Sequence, residues 1–148
     1  MIVALSVVAE DYRRYGWTIE TTSDGVELIT DEQIAAIELT GSVAAGVRRY
    51  LRANNLSGPV IETMGANRRE IHLVTGVAKA ARAIEALRAA GAIVHTDGAR
   101  VPLPHNSNAI AWSIAPSEAR WLPPVVAVGA AVRAVAARER AQLRTVAC

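Results

Sequence analysis

An Asp-Gly turn between two alternating segments is the feature that most constrains the fold of this chain. Residues Thr18 to Thr21 and Val26 to Ile29 alternate apolar and polar side chains, and Ser23-Asp24-Gly25 separates them. Asp-Gly readily adopts the positive backbone angles of the tightest two-residue turns. The spacing therefore predicts a β-hairpin near the start of the chain.

Further strands and four helices follow from the spacing of apolar residues. Strands are predicted at Ala35 to Leu39, Val60 to Thr63, Glu70 to Val74, Ile93-Val94, Arg100 to Leu103 and Ala109 to Ile114. Helices are predicted over residues 2 to 15, 42 to 54, 76 to 90 and 125 to 146, where apolar residues recur every three or four positions. Asp97-Gly98 predicts a second hairpin, between Ile93-Val94 and Arg100 to Leu103.

This order of elements predicts an α+β fold. We expect a mixed, largely antiparallel sheet with hairpins, flanked by helices and followed by a C-terminal Ala-rich helix. The length of 148 residues, 51% of them hydrophobic, suits one domain with its own core. We place that domain over residues 1–148, with its core at about 12–122 and the last helix at about 123–146.

Apolar runs in this chain are too short to span a membrane. The longest, Ile2 to Ala9 and Pro123 to Val132, fall well below the roughly 20 residues that a bilayer requires. The first residues lack a basic segment, which argues against a signal peptide. The single cysteine, Cys148, excludes an internal disulfide, and the three histidines show no metal-ligand spacing. We therefore expect a cytoplasmic protein without a membrane partner or a structural metal.

Charge is unevenly distributed along the chain. Residues 1 to 40 carry eight acidic side chains against Arg13 and Arg14, a net charge of −6, so the remainder carries +8. Lys79 is the only lysine, and guanidinium is the better group for bidentate phosphate contacts. The excess is compatible with nucleic-acid binding, but an Ala- and Arg-rich composition from a GC-rich genome would produce it as well. Charge alone leaves both interpretations open.

Common catalytic motifs are missing from the sequence. It contains no Gly-x-Ser-x-Gly, no Gly-x-x-x-x-Gly-Lys-Ser/Thr and no Gly-x-Gly-x-x-Gly, which argues against the usual hydrolase and nucleotide-binding folds. Trp17, Trp112 and Trp121 could stack on nucleic-acid bases, but aromatic residues make up only 4% of the chain. Packing in or near the core is the favoured interpretation of all three.

Five short motifs occur in a characteristic order. They are Tyr15-Gly16-Trp17, the segment Thr63 to Leu73 with His72 near its end, Asp97 to His105, Ala111-Trp112 and Leu122-Pro123-Pro124. In this order the chain resembles the small primase-polymerase domain of the archaeo-eukaryotic primase superfamily, especially the truncated versions found in bacteria and their mobile elements. The resemblance covers roughly residues 12 to 130.

The resemblance implies a metal-dependent nucleotidyltransferase that has lost part of its site. In the family, two or three carboxylates hold Mg²⁺ or Mn²⁺ against a nucleoside triphosphate. Glu38 is the only carboxylate where the first pair belongs, and Ile93 stands where the third acid is expected. A shift in register would nominate Asp97 instead. The implied domain is therefore catalytically degenerate and needs no metal.

Phosphate binding is the part of the family's function that the resemblance leaves in place. His72 matches the histidine that contacts nucleotide phosphates in active relatives, although it could equally be a half-buried sheet histidine with a hydrogen-bond partner. Arg68 and Arg69 precede it on a turn and could add phosphate contacts. The alternative interpretation of this turn is a solvated loop without a ligand. With Arg48 and Arg52 from the preceding helix they predict a basic groove for nucleic acid or nucleotide phosphates.

Three functions follow as hypotheses. The favoured one is a degenerate primase-polymerase-like module that binds nucleic acid or nucleotides in a regulatory or accessory role. An active enzyme with Mg²⁺ or Mn²⁺ would need Glu38 to cluster with Glu70 or Asp97. A protein-interaction or oligomerisation module would use residues 123–146 and expose an apolar stripe on the last helix, made of Val125, Val128, Val132 and Val135.

Overall fold

The computed structural model describes residues 4–65, 68–105, 109–119 and 121–147. Residues 1–3 of the predicted first helix, Ala66 and Asn67 of the predicted phosphate-binding turn, and Cys148 lie outside the described residues. In chain order the elements are α1 (Leu5–Arg13), β1 (Ile19–Thr21), β2 (Val26–Ile29), β3 (Ala35–Thr40), α2 (Gly41–Ala53), β4 (Val60–Thr63), β5 (Arg69–Val74), a 3-10 turn (Val77–Lys79), α3 (Ala81–Ala89), β6 (Ile93–His95), β7 (Arg100–Leu103), β8 (Ile110–Ile114) and α4 (Val125–Ala147).

The strands form two separate sheets. One has three strands in the order β1-β2-β7, and the other has five in the order β6-β3-β5-β4-β8. Every strand pair in the described part of the chain is antiparallel. The α+β prediction is confirmed, including the C-terminal helix, with two sheets in place of the single one expected.

Side-chain alternation on the five-stranded sheet separates two cores. Ala35, Ile37 and Leu39 of β3 pack beneath α2, α3 and α4, which we call the helical layer. Ala36 of β3 and Leu73 of β5 point the opposite way and pack against α1 and the three-stranded sheet, which we call the small-sheet layer. The molecule therefore has three layers, with the five-stranded sheet in the middle.

The first hairpin is confirmed. Strands β1 and β2 pair with Ile19 opposite Leu28, and the turn falls at Ser23-Asp24-Gly25 as expected. Thr22 holds the turn closed, because its Oγ1 accepts a hydrogen bond of 3.0 Å from the Gly25 amide. The loop from Thr22 to Gly25 and the antiparallel pairing of β1 with β2 together form the predicted hairpin.

The second predicted hairpin is wrong. Asp97 and Gly98 do form a turn with positive φ angles of 57° and 88°, but the strands on either side of it do not pair with each other. Strand β6 pairs with β3 in the five-stranded sheet, whereas β7 pairs with β2 in the three-stranded sheet. The Asp-Gly turn therefore carries the chain from one sheet to the other, because turn chemistry decides the local bend and not the pairing partners.

Two helices differ from their predicted form. The helix expected from residue 76 begins as the 3-10 turn, and α3 starts only at Ala81 because Ala80 has non-helical backbone angles. In α4 the side chains Val125, Val128 and Val132 are buried in the core of this same chain. The predicted exposed stripe is therefore not available to a partner. No helix among the described residues is both long and apolar enough to cross a membrane.

Gly58 allows the start of α4 to dock on the sheet. The amide of Thr75 donates to Pro123 O at 3.0 Å, and Val125 N donates to Thr75 O at 2.8 Å, so this segment runs against the end of β5. A Cβ at position 58 would overlap the Pro123 ring and lie 3.2 Å from the carbonyl oxygen of Trp121. A side chain cannot be accommodated there unless the backbone moves.

We expect Gly58→Ala to lower the free energy of unfolding by about 1–3 kcal/mol, because overpacking against a rigid ring and backbone forces a displacement. Urea titration followed by circular dichroism measures this. Ser57→Ala is the matched control, with an expected change within about 0.5 kcal/mol. Equal stability of the two variants would contradict this account of the α4 docking.

Candidate functional site

A large cavity lies where β3 ends and α2 begins. Its volume is about 720 Å³. The lining residues are Thr40, Gly41, Ala44, Ala45, Arg48, Glu62, Arg68, Arg69 and Glu70. Three predicted phosphate ligands, Arg48, Arg68 and Arg69, thus share one cavity. Arg52 is exposed on α2 but does not line it, and His72 lies buried behind Glu70.

Two carboxylates form part of the cavity wall. Glu62 of β4 and Glu70 of β5 are directly opposite each other in the antiparallel pair, so both side chains project from the same face of the sheet. Directly opposed residues have Cβ atoms about 5 Å apart, and two negative charges at that distance repel each other. Neighbouring cations reduce this repulsion: Arg68 pairs with Glu62, and Arg48 pairs with Glu70. Glu62 is a member of the site that the sequence patterns did not single out.

Glu70 binds the first of these cations and also His72. Arg48 reaches Glu70 from α2 through two hydrogen bonds, 2.6 Å from Nη2 to Oε2 and 3.3 Å from Nε to Oε1. His72 Nε2 lies 3.2 Å from Glu70 Oε1, and the His72 side chain is only 2% exposed. His72 thus occupies the alternative place considered above, that of a buried sheet histidine whose partner is a carboxylate.

These contacts determine how Glu70 titrates. Burial by itself raises the pKa of the Glu70 carboxyl, but the hydrogen bonds from His72 and Arg48 outweigh burial and hold its pKa below the ordinary value. Glu70 therefore stays ionised at neutral pH and neutralises the Arg48 guanidinium.

The two remaining cavity arginines are neutralised in the same way. Arg68 forms an ion pair with Glu62. Arg69 Nη1 lies 2.7 Å from Glu38 Oε2, and Glu38 also contacts His95, with 2.9 Å between Oε1 and Nε2. Each predicted phosphate-binding arginine of the cavity thus already has a carboxylate partner. A phosphate group would have to compete with those carboxylates for every guanidinium.

Glu38 and His72, the two residual catalytic candidates, lie on opposite faces of the sheet. In the β3–β5 pair Ile37 is opposite His72 and Glu38 is opposite Ile71, so the sheet separates the two side chains. Glu38 and Glu70 are separated in the same way. Among the described residues no three His, Cys, Asp or Glu side chains form a group that could hold a metal ion.

The third expected carboxylate position falls beside Glu38 but carries no acid. Ile93 of β6, which the motif register places on the expected acid, is directly opposite Glu38 in the β3–β6 pair. Asp97 lies beyond the end of β6, in the turn, with a positive φ angle of 57°. Neither residue therefore completes a carboxylate cluster with Glu38.

Trp17 and Trp112 belong to an aromatic cluster against the small-sheet core. Tyr12 stacks on Trp17 with 6.1 Å between ring centroids and meets Trp112 edge-on at 6.0 Å. The Tyr12 hydroxyl donates to Pro104 O at 2.5 Å and accepts from Trp112 Nε1 at 2.9 Å. Trp17 and Trp112 thus have the packing role favoured above, whereas Trp121 is about half exposed.

Positive charge without carboxylate partners is concentrated in the helical layer. Helices α2, α3 and α4 together carry nine arginines and two glutamates, a net charge of +7. Of these arginines only Arg48 forms an ion pair with another described residue. The other eight are Arg49, Arg52, Arg82, Arg88, Arg133, Arg138, Arg140 and Arg144.

The small-sheet side has the opposite charge. Residues 4–34, which form α1, β1 and β2, carry seven acidic side chains and two arginines, a net charge of −5. The five-stranded sheet separates this segment from the helical layer. The charge difference between the two ends of the sequence therefore becomes a difference between two faces of the molecule. This arrangement depends on which helices pack together, so distances along the sequence do not reveal it.

Arg49 and Arg138 come together at a groove between α2 and α4. The groove has a volume of about 480 Å³. It is lined by Ser42, Gly46, Arg49, Tyr50, Ala53, Asn54, Ala134, Val135, Arg138, Glu139 and Gln142. It lies on the outer side of the helical layer, away from the cavity at the end of β3.

Comparison with protein-family models, with curated proteins and with solved structures finds no match. The resemblance to primase-polymerase domains therefore rests on the order of the five motifs and stays a prediction.

Replacing Glu70 tests the charge balance of the cavity. We expect Glu70→Gln to lower the free energy of unfolding by about 1–3 kcal/mol at pH 7, since it leaves Arg48 and His72 without their carboxylate. Because the pKa of Glu70 is depressed in the folded state, its contribution is present above the ordinary value of 4.5 and is lost as the pH falls through the folded value.

The difference between wild type and Glu70→Gln should therefore be largest near neutral pH and vanish in acid. Urea titrations at a series of pH values measure it, with Glu118→Gln as an exposed control. A difference that is constant with pH would contradict the role assigned to the Glu70 charge.

Proposed function

We propose that this chain is a non-catalytic nucleic-acid-binding module and that the helical layer is its binding surface. The observation that carries the proposal is the net charge of +7 on α2, α3 and α4, eight of whose nine arginines have no ion-pair partner among the described residues. Guanidinium groups that are not already paired can bind phosphate oxygens and release counterions from the nucleic acid.

The helical layer is favoured over the cavity at the end of β3 because of its charge balance. In the cavity Arg48, Arg68 and Arg69 are bound to Glu70, Glu62 and Glu38. Binding a phosphate there would break ion pairs and bring a new negative charge close to carboxylates. Binding to the eight arginines of the helical layer that have no ion-pair partner among the described residues breaks no such pair.

The negative small-sheet layer supports the same surface. The charge of −5 on residues 4–34, which Arg100 of β7 reduces to −4, repels a polyanion, whereas the helical layer on the other side of the sheet attracts it. The resulting field orients the molecule as it approaches nucleic acid. An accessory or regulatory role in a bacterium or mobile element, as the primase-polymerase resemblance implies, is compatible with binding that needs no cofactor.

A second candidate is supported by the last turns of α4. Leu143 is 69% exposed, and residues 133–145 are mostly exposed. This segment could contact a protein partner or a second copy of the chain. Sedimentation at several protein concentrations, with Leu143→Gln as the variant, distinguishes this candidate from the first.

Charge reversal on the helical layer tests nucleic-acid binding. We expect Arg49→Glu and Arg138→Glu each to weaken binding of labelled DNA or RNA and to reduce the salt slope by about one unit, as the loss of one phosphate contact does. Fluorescence anisotropy across a salt series, with and without Mn²⁺, measures both quantities. Arg14→Glu is the matched control, since it makes the same change of charge on the exposed end of α1.

The remaining hypotheses give different results in this experiment. If replacing Arg68 and Arg69 weakens nucleic-acid binding while Arg49→Glu leaves it unchanged, binding belongs to the cavity and the helical surface is overturned. Binding that requires Mn²⁺ would favour the active enzyme with Glu38. No binding at low salt would reject nucleic acid as the ligand and leave the protein-partner hypothesis.

A further inference from the structure

The groove between α2 and α4 is formed by two antiparallel helices in close contact. A Cβ at Gly46 would lie only 2.6 Å from Val135 Cγ2, so the absence of a side chain at position 46 lets the helices approach. One turn away, Ser42 Oγ donates to Glu139 Oε1 at 3.1 Å. The lining residues of α2 extend from Ser42 to Asn54, so the groove follows that helix for about 18 Å.

The floor of this groove is small and its walls are polar. Ala53 and Ala134 contribute only small, exposed side chains to the groove, and Tyr50 supplies an aromatic ring at one side. A cavity of about 480 Å³ is within the size range of small-molecule sites. A flat ring can therefore lie in the groove and contact Tyr50.

Other residues that line the α2–α4 groove carry groups that bind phosphates or hydrogen-bond to the edges of bases. Arg49 and Arg138 line the groove from opposite helices and can bind phosphate on either side. Asn54 and Gln142 carry amide groups, which donate to and accept from the edges of bases. The Asn54 amide nitrogen donates to Tyr50 O at 2.8 Å, a bond that orients this amide toward the end of α2.

We infer that the α2–α4 groove binds an unpaired base of single-stranded nucleic acid, with the base stacked on Tyr50 and the adjacent phosphates bound to Arg49 and Arg138. This inference rests on the proposed function and makes it more specific. In a duplex the faces of the bases are covered by stacking and cannot reach a tyrosine in a groove. The groove therefore selects single strands, whereas the rest of the helical layer attracts any nucleic acid.

An acidic peptide is the other occupant that this charge could attract. Glu139 lies within the groove and repels carboxylates and phosphates alike, so charge alone does not separate a peptide from a nucleotide. An aromatic ring next to two guanidiniums is the combination that binds a base and its phosphates together, whereas an acidic side chain has no ring to stack on Tyr50. This combination favours the nucleotide.

Tyr50 gives the direct test. We expect Tyr50→Leu to weaken binding of a labelled oligothymidylate about tenfold, the effect of losing one base stacked on an aromatic ring. Binding of a duplex of equal length should be unchanged. Tyr50→Phe keeps the ring and should bind the oligothymidylate as wild type does. Thermal unfolding of each variant verifies that the chain remains folded.

A second pair of variants keeps the test independent of Tyr50, which also packs on the core. Ala134→Leu fills the groove from α4 and should weaken single-strand binding to a similar extent. Ala137→Leu is the matched control, since Ala137 is exposed on the same helix but does not line the groove. Both changes preserve high helix propensity.

Each outcome separates this inference from the proposed function. One outcome is that single strands and duplex bind equally well, that Tyr50→Leu and Ala134→Leu leave binding unchanged, and that Arg49→Glu reduces it. This outcome would overturn the base site and retain the binding surface. If the wild-type protein binds neither single strands nor duplex, both the base site and the proposed function are overturned. A polyglutamate peptide that binds, is blocked by Ala134→Leu and is not displaced by the oligothymidylate would assign the groove to a peptide.

Discussion

The alternation of side chains along β3 and β5 is the constraint on which the rest of the structure depends. Each strand is covered on both faces, so successive residues enter different cores: Ile37 lies under the helices and Ala36 against the small-sheet layer. The same alternation sends Glu38 and Glu70 to opposite faces. A carboxylate in a covered strand needs a partner, and each of these has one arginine and one histidine. The packing of the sheet thus decides the electrostatics at its end.

Charge pairing then separates the arginines into two groups with different capacities. Those near the sheet, such as Arg48 and Arg69, neutralise carboxylates and hold α2 and the strand ends together. Those on the outer surface of the helices, such as Arg49 and Arg138, face solvent and the α2–α4 groove. An arginine engaged by a carboxylate contributes little to attraction at a distance, because the pair has no net charge. Positive charge without a carboxylate partner is therefore concentrated in the helical layer, where we propose that nucleic acid binds, and not in the cavity at the sheet end.

Much of the fold could be predicted from the sequence because local signals and tertiary pairing agree. The β1–β2 hairpin follows from Asp24-Gly25, and α2 follows from Ala44, Val47 and Leu51 on one face. The prediction failed at Asp97-Gly98, where the turn is formed but β6 and β7 join different sheets. The sheet that a strand joins depends on its long-range pairing partner, and a turn motif gives no information about that partner. Site residues had a related difficulty. Arg69 was recognised as cationic, but its partner Glu38 is 31 residues away in the sequence. Glu62 is only six residues from Arg68, but their ion pair depends on how the chain turns between β4 and β5.

The surroundings of Glu38 bear on the metal site that the primase-polymerase resemblance implies. Ile93 lies opposite Glu38 in the β3–β6 pair, and Glu38 is bound by Arg69 and His95. The Arg69 guanidinium and the His95 ring nitrogen already contact the two carboxylate oxygens of Glu38, which a metal cation would need as ligands. An acid introduced at position 93 would lie on the same face as Glu38 and His95, beside a carboxylate that Arg69 already neutralises. A metal cation would therefore have to displace Arg69 from Glu38. The arginines of the helical layer that we propose to bind nucleic acid are not engaged in this way, because eight of the nine form no ion pair with another described residue.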